Sequence, residues 1–239
     1  MSVTVVYAIN SFHPFGKMAF QSIKTLRKHN RDVFIKIINT GEQLQIPEYC
    51  YPCEQLLMQG VFQRFPDDKS LIGTLEDENI IYLDADTFIF DDIEKLFVGH
   101  SHKFSARLSW TYQNTNHWFS NYEINWQKNL SIIGSKRVPV FNSGVLIFKE
   151  GAHQMLYGAW VQNITRFHQG ELLSVYGGER LYEQIALSLS IGLLSVPYCL
   201  LSPREHSYAW NDELSDETVV LHTTSKWYDD YWNRYCKDL

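Results

Sequence analysis

The sequence predicts an α/β chain with a mixed, mostly parallel sheet flanked by helices. Three features carry this expectation: a strand, helix, strand opening, two amphipathic helices in the second half, and short β-branched or aromatic runs between them. The 239 residues are enough for a full core, and with no repeat, linker or low-complexity block they are read as one domain, 1–239.

"VTVVYAI" reads as a buried strand. In "FGKMAFQSIKTLRKHN", Phe15, Met18, Ala19, Ser22, Ile23 and Leu26 share a helical face, with basic residues at the C-terminal end. "DVFIKIIN" is the second strand. From Thr40 to about Leu75 the pattern weakens around Pro47, Pro52 and Pro66, which predicts loops with room for one short helix. "NIIYLDAD" is the next strand and "TFIF" extends it. "DDIEKLF" reads as a helical turn with an acid three residues before Glu94. Residues 105–129 are polar and aromatic, and "VPVFNSGVLIF" resumes strand character. Helices are predicted over Ala152–Phe167 and Glu179–Ile191, before a last strand, "TVVLHTT".

Hydrophobic residues make up 45% and charged residues 20%, an ordinary globular balance, while 15% aromatic residues is high enough to suit stacking on flat or ring-shaped ligands. A net charge of −6 argues against duplex nucleic acid, whose binding needs Lys and Arg on phosphates. A small anion held through a metal is compatible with it. No apolar run is long enough to span a bilayer and "MSVTVVYAIN" is not a signal-type leader, which predicts a cytoplasmic protein. The aromatic end, "KWYDDYWNRYCKDL", allows peripheral membrane contact, though its mixed charge favours packing on the domain. The four cysteines suit neither a disulfide framework nor a structural zinc site; Cys50 and Cys53 read as ordinary thiols near a turn, with a redox pair as the alternative.

"IIYLDADTFIF" places two carboxylates in an apolar run. In an extended segment, side chains at i and i+2 point the same way, so Asp84 and Asp86 are expected to converge. Their mutual repulsion would be relieved by a hard divalent cation. Ligands of open α/β sheets also lie beyond the carboxyl ends of strands, where these acids fall. The alternative is a pair of turn residues, which is the preferred reading for Asp91 and Asp92.

"IIYLDADTFIFDDIEKLF" resembles the DxD region of family 8 glycosyltransferases, the glycogenin and lipopolysaccharide galactosyltransferase group, which have the GT-A (nucleotide-diphospho-sugar transferase) fold. "VFNSGVLIFKEG" resembles that family's Asn-Ser-Gly strand, "GGERLYEQIALSLS" its Asp-Gln helix, and "VVLHTTSKWY" its closing His and Lys-Trp segment. All four occur in family order, and with the opening strand, helix, strand unit the resemblance spans most of the chain.

The resemblance implies a Mn²⁺ (or Mg²⁺) site at Asp84, Asp86 and His222, and a nucleotide-sugar donor, most simply UDP-linked, transferred with retention. Ala8, Asn10, Lys69, Asp84, Ala85, Asn142 and Lys226 are then the donor-binding candidates. Ala8 and Asn10 match uridine-holding positions, Lys69 a base upstream of the DxD, Asn142 the sugar-contacting asparagine, and Lys226 a diphosphate contact. Glu183 and Gln184 align with the Asp-Gln pair near the anomeric carbon, where a carboxylate acts as nucleophile or stabilises an oxocarbenium-like state and an amide does only the weaker job. The acceptor, whether glycan, lipid-linked or protein, is not implied; the aromatic segment from Trp110 to Trp126 is the candidate for stacking on it, with packing over the sheet as the alternative.

Two other classes compete. Phosphatases of the haloacid dehalogenase type use a strand ending in DxDxT with Mg²⁺, but they also need a later Gly-Asp acid, and this chain has no Gly-Asp dipeptide. A non-catalytic carbohydrate-binding protein on a transferase fold is the third possibility.

Overall fold

The computed structural model describes residues 2–10, 14–62, 64–109, 122–175, 181–224 and 226–237. The opening forms as the sequence predicts: β1 (Thr4–Ile9), α1 (Phe15–His29) and β2 (Phe34–Asn39), with β1 and β2 parallel. In α1, Met18, Ala19, Ile23 and Leu26 are buried, while Arg27, Lys28 and His29 occupy the last turn, where positive charge opposes the helix dipole. Ser22, on the same buried face, bridges Tyr7 Oη and Thr87 Oγ1 at 3.0 Å each and so satisfies a polar contact inside the core.

The stretch expected to be loop holds more structure than predicted. β3 (Cys53–Leu57) pairs parallel with β2, and a ten-residue 3-10 helix covers Phe65–Thr74. β3 is an edge strand of half-exposed residues, so it needs no apolar run to form. Cys50 and Cys53 carry no disulfide, and burial pushes their thiols up to about 12 and about 11, which makes them unsuited to redox chemistry.

β4 (Ile80–Leu83) ends before the acids, and Ala85 and Asp86 form a turn into β5 (Thr87–Ile89). The single extended strand read from the sequence is therefore two strands in two different sheets. α2 (Glu94–Val98) follows, with no side-chain cap on Ile93; Asp92 Oδ1 instead accepts from the Glu94 amide at 2.9 Å. Next come β6 (Phe104–Leu108), α3 (Tyr122–Ile133), β7 (Phe141–Phe148), α4 (Ala152–His168) and α5 (Tyr182–Leu193), then β8 (Tyr198–Leu200), β9 (His206–Tyr208), β10 (Val220–His222) and α6 (Tyr228–Tyr235). Residues 179–180, the predicted start of α5, lie outside the described residues.

The main sheet runs β3-β2-β1-β4-β7-β6-β8 and a small sheet runs β5-β10-β9. β7 is antiparallel to both neighbours, β4 and β6, and the other pairs of the main sheet are parallel, so the sheet is mixed and mostly parallel. Its central strands are apolar on both faces because both are covered. Val6, Tyr82, Leu146 and Phe148 face the layer formed by α3, α4, α5 and the 3-10 helix. Tyr7, Ile81, Leu83 and Ile147 face α1, the small sheet and α6. Among the described residues no helix is long and apolar enough to cross a membrane.

Of the aromatic segment assigned to an acceptor, Trp110 and Trp118 lie outside the described residues. Trp126 belongs to the core: it is 1% exposed and its Nε1–H donates to the Val138 carbonyl at 3.1 Å. An acceptor sugar cannot stack on a ring so enclosed. Trp126→Ala should therefore cost about 3–5 kcal/mol of stability by removing a buried aromatic and its hydrogen bond. Urea denaturation measures this, and an unchanged midpoint would contradict the packing role.

Candidate active site

β1 and β4 are parallel, so their carboxyl ends open on the same edge of the sheet, and the acids stand on that edge. The Asp84 amide donates to the Gly144 carbonyl at 2.8 Å, the last link between β4 and β7. Thr87 Oγ1 then donates to the Asp84 carbonyl at 2.8 Å and tightens the turn. Thr223, just after β10, holds the Asp86 carbonyl through its amide at 2.9 Å and its hydroxyl at 3.0 Å. The two acids thus converge through a turn clamped from three strands, rather than through the alternation of one strand.

His222, at the end of β10, completes the cluster. Its Nε2 lies 3.7 Å from Asp84 Oδ2 and 3.3 Å from Asp86 Oδ1. One ligand atom from each of the three residues lies within 4.8 Å of the others, as a metal site requires. Two carboxylates and one imidazole are a donor set suited to Mn²⁺ or Mg²⁺, with the nitrogen favouring the former. Behind the ring, His222 Nδ1 meets His206 Nε2 at 3.3 Å. Burial, then His222 and Arg107, hold the His206 imidazole well below its ordinary value, and its contact with Nδ1 orients the His222 ring so that Nε2 faces the acids.

Facing this cluster is the start of α5. Glu183 and Gln184 are 1% and 2% exposed. Gln184 Oε1 accepts from the Ser143 amide at 3.0 Å, and Glu183 Oε1 accepts from the Ser143 hydroxyl at 3.1 Å. Lys69, from the 3-10 helix, stands between the two groups of acids. Its Nζ is 2.7 Å and 2.9 Å from the two oxygens of Asp84 and 3.7 Å from Glu183 Oε1. Burial alone would push the Lys69 ammonium down; Asp84, then Glu183 and Asp86, outweigh it and hold the group above its ordinary value. Burial pushes Glu183 up, and Lys69 offsets only part of that.

These side chains line a cleft of about 380 Å³ together with Asn142, Trp210 and Thr223. Asn142 also turns the entry to β7, its Oδ1 accepting from the Gly144 amide at 2.8 Å. Of the eleven site residues expected from the sequence, Lys69, Asp84, Asp86, Asn142, Glu183, Gln184 and His222 meet in this cleft. Ala8 is buried in β1, Asn10 donates to Thr40 Oγ1 at 3.3 Å just beyond it, and Ala85 is buried in the turn. None of those three is among the residues lining the cleft. Lys226 is exposed, its Nζ 5.9 Å from the centre of the Trp227 ring, and does not reach the cleft either.

Ser143, Tyr82 and Trp210 were not anticipated. Ser143 is the middle residue of the Asn-Ser-Gly, and Tyr82 lies two residues before Asp84, to which its hydroxyl donates at 2.5 Å. Trp210 stacks on Tyr208 at 4.9 Å and stands edge-on to His222 at 5.8 Å, in a loop whose sequence gives no periodic signal.

Lys69 is the positive charge nearest both Asp84 and Glu183. Lys69→Met should cost about 3–5 kcal/mol, because it leaves buried carboxylates without their partner. Urea denaturation with and without Mn²⁺ measures this: added metal should restore more stability to the variant than to the wild type, and a variant as stable as wild type would refute the role.

No family model matches the sequence, and no curated protein matches it. Solved structures are similar in three dimensions. The galactosyltransferase LgtC, in complex with donor and acceptor sugar analogues, is 10% identical over 93% of this chain and 87% of its own, with a TM-score of 0.60. The glycosyltransferase GlyE of Streptococcus pneumoniae is 14% identical over 97% of this chain and 60% of its own, at 0.64. Mouse xyloside xylosyltransferase 1 is 12% identical over 95% of this chain and 99% of its own, at 0.55. At such identities the likeness concerns architecture, and the architecture is that of the GT-A glycosyltransferases.

Proposed function

We propose that the protein is a single-domain, metal-dependent glycosyltransferase of family 8 type, transferring a sugar from a UDP-linked donor with retention, in the cytoplasm. The observation that carries this reading is the opposition, across one cleft, of the Asp84, Asp86 and His222 cluster to the buried Glu183 and Gln184, with Lys69 between them. The neighbours' names supply the reaction class, and LgtC's donor and acceptor analogues make a nucleotide sugar the natural ligand to test.

Asp84, Asp86 and His222 would hold Mn²⁺ or Mg²⁺, which when bound supplies positive charge against a departing diphosphate. Lys69 contributes a second, permanent positive charge on the same edge and orients Asp84. Asn142 lines the cleft at the start of β7, and with its Oδ1 held by the Gly144 amide its side-chain NH₂ is suited to donate to a sugar hydroxyl. Glu183 is the acid suited to the anomeric carbon: Ser143 fixes one of its oxygens, and a carboxylate stabilises developing positive charge or attacks it. Gln184 has its carbonyl oxygen tied to the Ser143 amide and is suited to hold the backbone of β7.

The phosphatase alternative places Asp84 as a free nucleophile, whereas here Lys69 and Tyr82 both bind its carboxylate and the architecture is that of sugar transferases. A non-catalytic binding protein on the same fold would share the donor site and differ only in turnover.

A thermal-shift panel of nucleotide sugars with and without Mn²⁺ tests the proposal. At a ligand concentration about 100-fold above Kd, stabilisation is ~2.7 kcal/mol, a rise of roughly 5–10 °C for a chain of this size. Asp86→Ala should abolish the Mn²⁺-dependent part. If no nucleotide sugar stabilises the wild type in the presence of metal, the proposal fails. Glu183→Gln should keep the thermal shift while lowering turnover on the order of 10²-fold; a wild type that binds donor yet never hydrolyses or transfers it would favour the binding protein.

A further inference from the structure

The two sheets meet at the acid and histidine cluster, and one buried arginine of the main sheet grips the small one. Arg107, on β6, is 3% exposed. Its Nη1 donates to the His206 carbonyl at 2.7 Å. Its fork closes on the Asp212 carboxylate, with Nη1 2.5 Å from Oδ2 and Nη2 3.1 Å from Oδ1. The guanidinium also lies over the Tyr208 ring, 4.0 Å from its centre. Asp212 accepts from the Tyr208 amide at 2.5 Å, and its own amide donates back to the Tyr208 carbonyl at 2.9 Å. Arg107 therefore holds β9 directly at its first residue and, through Asp212, at its last.

What β9 carries is the group behind a candidate metal ligand. His206 Nε2 meets His222 Nδ1 at 3.3 Å, while His206 Nδ1 has no hydrogen-bond partner among the described residues. The place of the His206 ring is thus set by the backbone that bears it and by Tyr208, edge-on at 5.0 Å, and Arg107 touches both. A buried ion pair is seldom the most stable filling for such a space, since apolar side chains of similar volume often pack as well or better. What the planar fork of an arginine adds is a fixed direction. Imidazoles that bind metal depend on outer partners for their orientation.

We propose that Arg107 and Asp212 form a positioning pair that sets the His222 imidazole for a divalent cation by fixing His206 behind it. The proposal rests on the reading of Asp84, Asp86 and His222 as a metal site. Neither member of the pair lines the cleft, so the effect passes through His206 and falls on metal affinity.

Mn²⁺, alone and in the presence of UDP, is the probe. Its dissociation constant is read from the electron paramagnetic resonance signal of the free ion, and the nitrogen coupling of the bound ion reports an imidazole ligand. Asp212→Ala should weaken Mn²⁺ binding about 10-fold, the low end of the loss for outer partners of metal ligands, and reduce the nitrogen coupling. Asp212→Asn keeps an acceptor oxygen for Arg107 and should fall between wild type and Asp212→Ala; it carries the test if the alanine variant does not fold. His206→Ala should weaken Mn²⁺ at least as much as Asp212→Ala, and combining the two should cost nothing further, because both act on one contact. Lys36→Met controls for general destabilisation: it breaks the 2.6 Å pair with Asp77, which lies beside the start of β1 at the opposite edge of the sheet, and should leave Mn²⁺ affinity unchanged. Unchanged affinity in the Asp212 variants, an equal loss in Lys36→Met, or a full further loss in the double variant overturns the positioning role while the metal site stands. A wild type that binds no Mn²⁺, with or without UDP, overturns the metal reading and this proposal with it.

Discussion

Buried carboxylates are the constraint around which this protein is arranged. Asp84, Asp86 and Glu183 approach one another at the edge of a sheet whose interior is apolar, and like charges brought out of water together are strongly unfavourable unless paired and hydrogen-bonded. Lys69 is the fixed answer, reaching both Asp84 oxygens and Glu183. Tyr82 is a second, since burial first and Asp84 next push its phenol well above the ordinary range, so it remains a donor. Ser143 is a third, placing one hydroxyl between Lys69 at 3.4 Å and Glu183 at 3.1 Å.

This charge arrangement depends in turn on a close approach of backbone and ring. A Cβ on Gly144 would lie 2.1 Å from His222 Cε1 and 2.4 Å from its Nδ1, inside any tolerable contact. Only glycine lets the small sheet lean its histidine against β7 at the point where β7 pairs with the residue preceding the acid turn. The antiparallel course of β7 matters for the same reason. It brings the start of that strand, with Asn142 and Ser143, to the edge where the parallel strand β4 ends. Reversed, β7 would present Phe148 there and carry its polar residues to the opposite edge.

Much of this was legible in the sequence because it rests on composition. β1, β4 and β7 are apolar on both faces, which requires cover on both sides, and α1 has a single apolar stripe. The cleft residues were legible for a different reason: four short segments stand in an order that resembles one family, and seven of the eleven expected side chains converge. What was not legible depended on tertiary context. β3 forms because β2 offers it an edge, not because "CEQLL" favours strand. The turn at Ala85 and Asp86 is made by Thr87 and Thr223, residues whose partners are invisible locally. Trp126 looked like a ligand platform because a buried aromatic and an exposed one are spelled alike. Lys226 lies only four residues from His222, but the chain between β10 and α6 leaves it facing solvent.

The way Glu183 is held also bears on its use. Ser143 engages Oε1, and Lys69 lies nearer to Oε1, while Oε2 is buried with no hydrogen-bond partner among the described residues. A buried acceptor left in that state costs about 1–3 kcal/mol, and protein interiors rarely tolerate it outside functional sites. A purely structural acid on α5 would lose nothing by being an apolar residue of similar size and would spare this cost. Under the proposed function, an acid that meets a positively charged carbon has reason to keep one oxygen uncommitted and the other pinned. Burial pushes the Glu183 carboxyl above its ordinary value and Lys69 offsets only part of that, so the group is sensitive to any charge brought beside it.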